Sequence, residues 1–478
     1  MIDAGETAVT KTTALVWLRN DLRIADNPAL AAAVAESESV TALYIHETDP
    51  SLRAPGGAAR WWLHHSLEDL GHRLAEKGIP LVVEHGAAAD TLDEVLRDTG
   101  ARSVHWNRRY APSEREIDAT IKTRLGHRQV KVHSHPGNVL VEPWLIATKE
   151  GHPYSVFTPF WSTLKTKDIA ALLKAPSGGG SARPSGLFDR YTQPRWAKKF
   201  AQHWAIGEAA AIDRLHDFLD ESLDDYPTGR DFPARDVTSR LSPHLRFGEI
   251  SARQVWQAAK ARSHAHPGLA NAVEKFLSEL AWRDFSYHQL YHREDIAKVP
   301  MQPKYGRMAW RNSARDLQAW QRGQTGIPIV DAGMRELWET GYMHNRVRML
   351  VASLLSKNML LDWREGEAWF WDCLVDSDVA NNSASWQWVA GTGLDASPYF
   401  RIFNPVTQGG RFDADGSYVR RWVPELAALP NKHLHDPAAA PPEVLAQAGI
   451  TLGLDYPTPI VDLKASRERA LAAQSNLS

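Results

Sequence analysis

From Leu15 to about His135, short β-branched and apolar runs alternate with amphipathic stretches. Leu15-Val16-Trp17-Leu18, Val40 to Ile45, Leu81-Val82-Val83, Val104-His105-Trp106 and Val130-Lys131-Val132 read as short strands. Helical spacing of apolar positions runs over Pro28 to Ala35, Ala59 to Lys77, Ala88 to Asp98 and Ser113 to Leu125. Such alternation predicts an α/β domain over 14–135, a doubly wound parallel sheet with helices on both faces. No Gly-x-Gly-x-x-Gly follows the first strand, so a nicotinamide fingerprint is missing. The carboxyl ends of the strands would still offer a ligand site. Residues 136–205 are poor in periodicity and contain Ala175-Pro176-Ser177-Gly178-Gly179-Gly180 followed by Ser181-Ala182-Arg183-Pro184, the composition of an interdomain connector. Helical periods then dominate: Ala209 to Leu219, Ser251 to Ala261, Ala270 to Tyr291, Ala314 to Gln321, Val330 to Thr340 and His344 to Met359. Residues 206–478 are therefore expected to form a large all-α domain that carries its function in its loops.

A chain of 478 residues favours two domains over one core. Its 43% hydrophobic and 23% charged residues describe a soluble globular protein, with no apolar run long enough for a membrane span. Met1 to Thr13 is polar and lacks the apolar stretch of a secretory signal. The single cysteine, Cys373, excludes an internal disulfide and any four-cysteine cluster built from this chain alone. A cytoplasmic monomer is the expectation. A formal charge of −2 excludes nucleic-acid binding through global basicity and leaves only a local basic face.

Chemistry concentrates at a few places. In Asn381-Asn382-Ser383-Ala384-Ser385-Trp386-Gln387-Trp388, two tryptophans two apart cannot share one helix face. The Asn pair sets amides among aromatic rings. Buried amides need partners, so the stretch reads as a loop wrapped on a flat ligand with polar edges. Thr238-Ser239-Arg240-Leu241-Ser242, ahead of Pro243, is either a capped helix start or an anion-binding one. Glu279, Trp282 and Arg283 lie together on a helix, where an exposed Glu/Arg pair alone would be a weak salt bridge. Asp376 and Asp378 have the Asp-x-Asp form that can take a divalent cation. No third ligand stands nearby in sequence, so no metal site is expected. Trp17-Leu18-Arg19-Asn20-Asp21-Leu22-Arg23-Ile24-Ala25-Asp26-Asn27-Pro28 is a strand, a turn and a capped helix start. Capping leaves its density of charge unexplained.

These segments resemble the DNA photolyase/cryptochrome family over nearly the whole chain. The resemblance implies FAD, its diphosphate met by Thr238, Ser239, Arg240, Leu241 and Ser242, with Tyr226 and Phe276 nearby. Asn345, Asp378 and an Arg348–Asp376 ion pair would complete the flavin rim. Asn382, or its neighbour Asn381, would face the flavin. Glu279, Met349 and Trp388 would contact a flipped pyrimidine dimer and, with Asn382, form the catalytic set. Arg230, Trp282, Arg283, Asn345, Arg346 and Gln408 would join Glu279 and Trp388 in binding DNA. Trp310, Trp363 and Trp386 fall at the spacing of the family's electron-transfer chain, with Trp369 and Trp371 as a branch or as packing.

The implied activity is light-driven repair of cyclobutane pyrimidine dimers in UV-damaged DNA. Reduced FAD would supply the electron. Within the family the His344-Asn345 pair looks like the cyclobutane-dimer type, the Asn at the flavin, where plant cryptochromes carry Asp, argues for repair, and Pro243-His244-Leu245-Arg246-Phe247-Gly248-Glu249-Ile250-Ser251 reads closer to class III than to class I. The alternative is a cryptochrome-type blue-light photoreceptor; such proteins often add a long tail, and none follows Tyr456-Pro457-Thr458-Pro459. The N-terminal domain would hold an antenna chromophore, methenyltetrahydrofolate or else a deazaflavin, near His46, Asn107 and Glu114. Trp61 and Trp62 offer alternative stacking rings.

Overall fold

The structure, a computed structural model, describes residues 13–177, 193–293 and 295–477. The first twelve residues and the glycine-rich run from Gly178 to Pro184 lie outside the described residues. Strands β1 (Thr13–Leu18), β2 (Ser39–Glu47), β3 (Leu81–Gly86), β4 (Ser103–Asn107) and β5 (Lys131–His135) form one parallel sheet in the order β3-β2-β1-β4-β5. Helices α1 (Pro28–Glu36), α2 (Gly57–Glu76), α3 (Ala88–Thr99) and α4 (Pro112–His127) connect them. Strand alternation sorts the core: Ala14, Val16 and Leu18 pack with Trp62, Leu67 and Leu70 of α2, whereas Leu15 and Trp17 face Leu92 and Val95 of α3 and Ile121 of α4. Both faces of the sheet are covered, as a parallel sheet requires.

The charged turn after β1 is the seam between this unit and the helical remainder. Arg23, buried, donates to the carbonyls of Asp26, Gly137 and Gly248 at 2.8–3.1 Å. The Ile24 and Ala25 amides donate to the Glu208 carboxylate at 2.7 and 2.9 Å. Asp26, held at φ +50°, takes the Ser251 hydroxyl at 2.5 Å and pairs with Arg253 at 2.9 Å. Buried charges must be paired, and here they are paired across the seam. Gly248, at φ +69°, lies against the Asn20 backbone so closely that any Cβ would overlap it.

The segment 136–205 places Leu140, Ile146, Phe157, Phe160, Leu164 and Ile169 in the core of the helical unit, with α5 (Phe157–Leu164) as its main helix. The helical unit is built on α6 (Ser242–Phe247), α7 (Ala252–Ala265), α8 (Ala270–His292), α9 (Pro328–Thr340), α10 (Asn345–Ser353), α11 (Trp363–Cys373), α12 (Val379–Ala390) and α13 (Pro405–Phe412), with shorter turns between. Among the described residues no helix is long and apolar enough to cross a membrane.

One buried cation stands out. Lys357, in a widened turn (Leu354–Asn358) after α10, is fully buried; it donates to the Arg401 carbonyl at 3.0 Å and sits 5.3 Å from the Tyr399 ring centre. Burial, then the Arg401 charge, pull its pKa from 10.5 down to about 7. The unfolded chain therefore binds more protons between these values, so stability rises with pH from about 7 to 10.5. Below that window the lysine costs on the order of 5 kcal/mol. Lys357→Met is expected to raise Tm at acidic pH and flatten the rise of stability across the window, read by thermal melts at several pH values. A lower Tm at acidic pH would show that the bond to Arg401 outweighs the charge.

Candidate active site

Helices α8, α10, α11 and α12, with the residues leading into α6, enclose a cavity of about 520 Å³. The Asn/Trp stretch that reads as a loop is instead the helix α12. Asp378 is its N-cap, accepting from the Asn381 amide N–H at 2.7 Å, and the Asn381 side chain donates to the same carboxylate at 2.7 Å. Asn382 behaves differently. Its Nδ2 donates to the Glu367 carbonyl at 3.0 Å and to Glu367 Oε1 at 2.8 Å. With that nitrogen engaged, Oδ1 is the polar atom left for the cavity that Asn382 lines. Glu367 is itself gripped by Arg53 through two bonds of 2.7 and 2.8 Å, from the loop before α2. Between the two tryptophans, Gln387 holds the segment 296–301 by bonding to the Met301 amide and to the Ile296 and Val299 carbonyls at 2.7–2.9 Å.

On the cavity wall Arg348 grips Asp376 through two bonds of 3.1 and 2.8 Å, and Ser242 donates to the same carboxylate at 2.6 Å. Burial works against the Arg348 charge, but Asp376 and Tyr342 outweigh it and hold its pKa above the usual value. Tyr226, Ser239, Leu241, Phe276, Asn345 and Asp378 share this lining. Thr238 and Arg240 do not. Arg240, at φ +49°, turns its guanidinium onto Trp204, 4.4 Å from the ring centre. Asp376 and Asp378 are committed to different partners.

The open side carries Glu279, Trp282, Met349 and Trp388, all partly exposed. Glu279 pairs with Arg230 and, at 2.8 Å, with Lys275. Burial alone would raise its pKa, but these two cations bring it below the usual carboxylate value, so it is an anion at neutral pH. Trp282 is stacked on Phe157, ring centres 3.8 Å apart and 9° from parallel. Phe157 is held in place by its amide on Asp395 at 2.6 Å. Sequence reasoning missed both: Phe157 lies in the weakly periodic segment, and only its contact with α8 gives it meaning. Arg283 lines the cavity but spends its donors inside the protein, on Asp284 at 3.0 Å and the Asn138 carbonyl at 2.8 Å. Arg346 pairs with Asp231 at 2.7 Å and lies over Phe412, while Gln408, half-buried on α13, stands apart from the lining.

Trp386 is buried in the cavity wall, and a Cβ at Gly366 would overlap its ring, so α11 and α12 meet at close range there. Trp363 opens α11 one turn earlier and is fully buried. Arg311 pairs with Leu361 in an isolated bridge, which brings half-buried Trp310 beside the start of α11. Of the three, Trp386 lines the cavity with Phe370 and Trp320 as its ring neighbours (5.0 and 6.2 Å), Trp363 is fully buried, and Trp310 is half-buried. Trp369 stacks on Trp338 (6.1 Å) and Trp338 on Trp196 (4.9 Å), whereas Trp371 is tied to the Ala54 carbonyl and covered by Arg53.

In the N-terminal unit, His46 on β2 and Asn107 on β4 are separated by β1. Asn107 is 1% exposed, with its amide bonded to Asp21, Asn27 and the Ala29 N–H. Glu114 accepts from the Ala111 amide at 3.2 Å at the start of α4, beside a cavity of only about 40 Å³. Asn107 and Glu114 therefore hold backbone together and do not converge with His46 on one pocket. Trp61 and Trp62 are equally buried, packed on Phe200, Trp204 and Phe247.

Residues 14–177 match the family model described as DNA photolyase, and 276–476 match the FAD binding domain of DNA photolyase. The deoxyribodipyrimidine photo-lyase of Agrobacterium fabrum is 48% identical over 96% of this chain and 97% of its own length. That of Escherichia coli is 39% identical, covering 97% of this chain and 98% of its own. A crystal structure of a bacterial class III photolyase from Agrobacterium tumefaciens superposes with a TM-score of 0.94 at 46% identity, covering 99% of both chains.

Proposed function

The chain belongs to the DNA photolyase family, and from that premise we propose that it is a deoxyribodipyrimidine photo-lyase, repairing cyclobutane pyrimidine dimers in UV-damaged DNA with light. The observation that carries the reading is one cavity with two differently equipped parts: an ion pair with an amide oxygen deep inside, and a carboxylate with stacked aromatics at the mouth. FAD fits the inner part. Asn382 Oδ1, the Arg348–Asp376 pair and Trp386 would hold its planar, polar-edged ring system there. Bound there in reduced form, FAD would supply, on absorbing blue or near-ultraviolet light, the electron that splits the cyclobutane ring.

The protein's own groups prepare that event. A dimer pairs and stacks poorly in duplex DNA, which lowers the cost of extruding it. At the mouth, Trp282, stiffened by Phe157, offers a flat apolar face, with Trp388 and Met349 beside it. Glu279, kept ionised by Arg230 and Lys275, is an acceptor for the imide N–H groups of a pyrimidine. Arg230 serves Glu279 from inside the wall and is only 14% exposed, so its contribution to DNA binding passes through the lesion pocket. Asn382, where the plant cryptochromes that the chain resembles carry Asp, would present a neutral amide to the cofactor.

The N-terminal unit is proposed to harvest light through a bound folate, methenyltetrahydrofolate, in preference to a deazaflavin. With Asn107 and Glu114 committed to the fold, other residues must line that site. The enzyme is proposed to act as a cytoplasmic monomer.

Reduced protein, illuminated with each lesion in turn and assayed by chromatography, is expected to reverse cyclobutane dimers and leave 6-4 photoproducts intact. Repair of the 6-4 lesion alone would sink the assignment. Absorption spectra before and after denaturation identify both chromophores.

A further inference from the structure

Far from the cavity, the edge strand β5 and its neighbour β4 present three histidines on the face that α1 covers. His105 pairs in register with His133, and Asn107 with His135. His105 and His133 are stacked, ring centres 4.7 Å apart. His105 is fully buried, and its Nε2 and that of His133 have no hydrogen-bond partner. Both face the carboxylate of Glu36, the last residue of α1, at 3.8 and 4.0 Å. These separations are too long for hydrogen bonds. They approach the spacing of ligands around one ion, which at bonds of about 2.0–2.2 Å stand roughly 3.3–4 Å apart.

We propose that Glu36, His105 and His133 form a binding site for a divalent transition-metal ion of the zinc class, with a fourth position open to solvent. The ligand atoms already lie within 4.8 Å of one another. A neighbouring bond supports the assignment: His105 Nδ1 lies 3.3 Å from His135 Nε2. With the proton on His105 Nδ1, donated to His135, His105 Nε2 carries the bare lone pair a metal needs, the arrangement that orients metal-bound histidines generally. Two imidazoles and a carboxylate are a donor set for Zn²⁺, Co²⁺ or Ni²⁺ and a poor one for Mg²⁺ or Ca²⁺. A bound ion would fasten the end of α1 to the sheet edge.

The test is zinc binding to untagged holoprotein, stripped with a chelator and titrated with ZnCl₂ against a chromophoric competitor. A second cluster, His64, His65 and Glu68, also brings ligand atoms together on α2. All measurements are therefore made in a His65→Gln background. Glu36→Gln and His133→Asn alter partly exposed side chains at the edge of the fold. Each is expected to weaken zinc binding by at least about tenfold, with the unloaded thermal melt and dimer repair unchanged. Mg²⁺ should not compete. No zinc bound by the parent protein, or equal affinity in parent and both variants, overturns the proposal.

Discussion

Trp386→Phe protein that has been reduced chemically before illumination is expected to repair dimers at the wild-type rate, while light alone no longer reduces its oxidised flavin at a comparable rate. Trp386 is the ring of the three that lines the cavity, while Trp363 is fully buried and Trp310 half-buried. Phenylalanine is much harder to oxidise. An added barrier of about 2.7 kcal/mol already slows a step roughly a hundredfold, and the substitution is expected to exceed it. Repair takes its electron from a cofactor already reduced and returns it, so the tryptophan chain is idle during turnover. Flavin absorbance under steady illumination measures the first effect and chromatography of the lesion the second. Loss of repair in the pre-reduced variant, with FAD content and DNA affinity intact, would remove Trp386 from this role. In Trp363→Phe, residual photoreduction would implicate Trp369, whose stack through Trp338 to Trp196 gives it an outlet that Trp371 lacks.

The second large effect concerns the ion pair under the cavity. Asp376→Asn removes a buried charge with little change in shape and leaves Arg348, 24% exposed on the cavity wall, without its carboxylate partner. Breaking a buried pair from one side costs about 3–5 kcal/mol. The variant is therefore expected to unfold at lower denaturant concentration and to lose FAD on gel filtration. Replacing both partners, as in Arg348→Met with Asp376→Leu, should restore most of the stability, because two buried charges and their desolvation disappear together. It should not restore FAD. That split separates a scaffolding pair from one that serves the ligand. A single variant within about 1 kcal/mol of wild type would show that the pair is too well solvated to matter.

Sheet strands and the helices between them were legible because their periodicities are short-range and both sheet faces are buried, leaving runs such as Leu15-Val16-Trp17-Leu18 nearly without polar interruption. The same rule failed at α12. Asn381, Asn382, Ser383, Ser385 and Gln387 make its composition look like a loop, and what holds it helical is the Asp378 cap and the packing of Trp386 on Gly366. Inner-cavity residues such as Tyr226, Ser242, Arg348 and Asp376 could be named from their resemblance to a known pattern. Supporting contacts outside that pattern could not: Phe157 behind Trp282, Arg53 behind Glu367 and Arg230 behind Glu279 each join residues distant in sequence. The charged turn after β1 shows the same limit. Its capping was readable, while its excess charge answers Glu208, Ser251 and Arg253, which no local pattern connects to it.

Arg53 belongs to the N-terminal unit, yet it sets the direction of the Asn382 amide on the cavity wall through Glu367. The two units are consequently not interchangeable parts. Grafting an N-terminal unit that lacks an arginine at this loop position would leave the Glu367 carboxylate without its counter-charge, free to turn and take Asn382 with it. A transplanted unit that folds well could still yield a poor enzyme unless an arginine is carried over there.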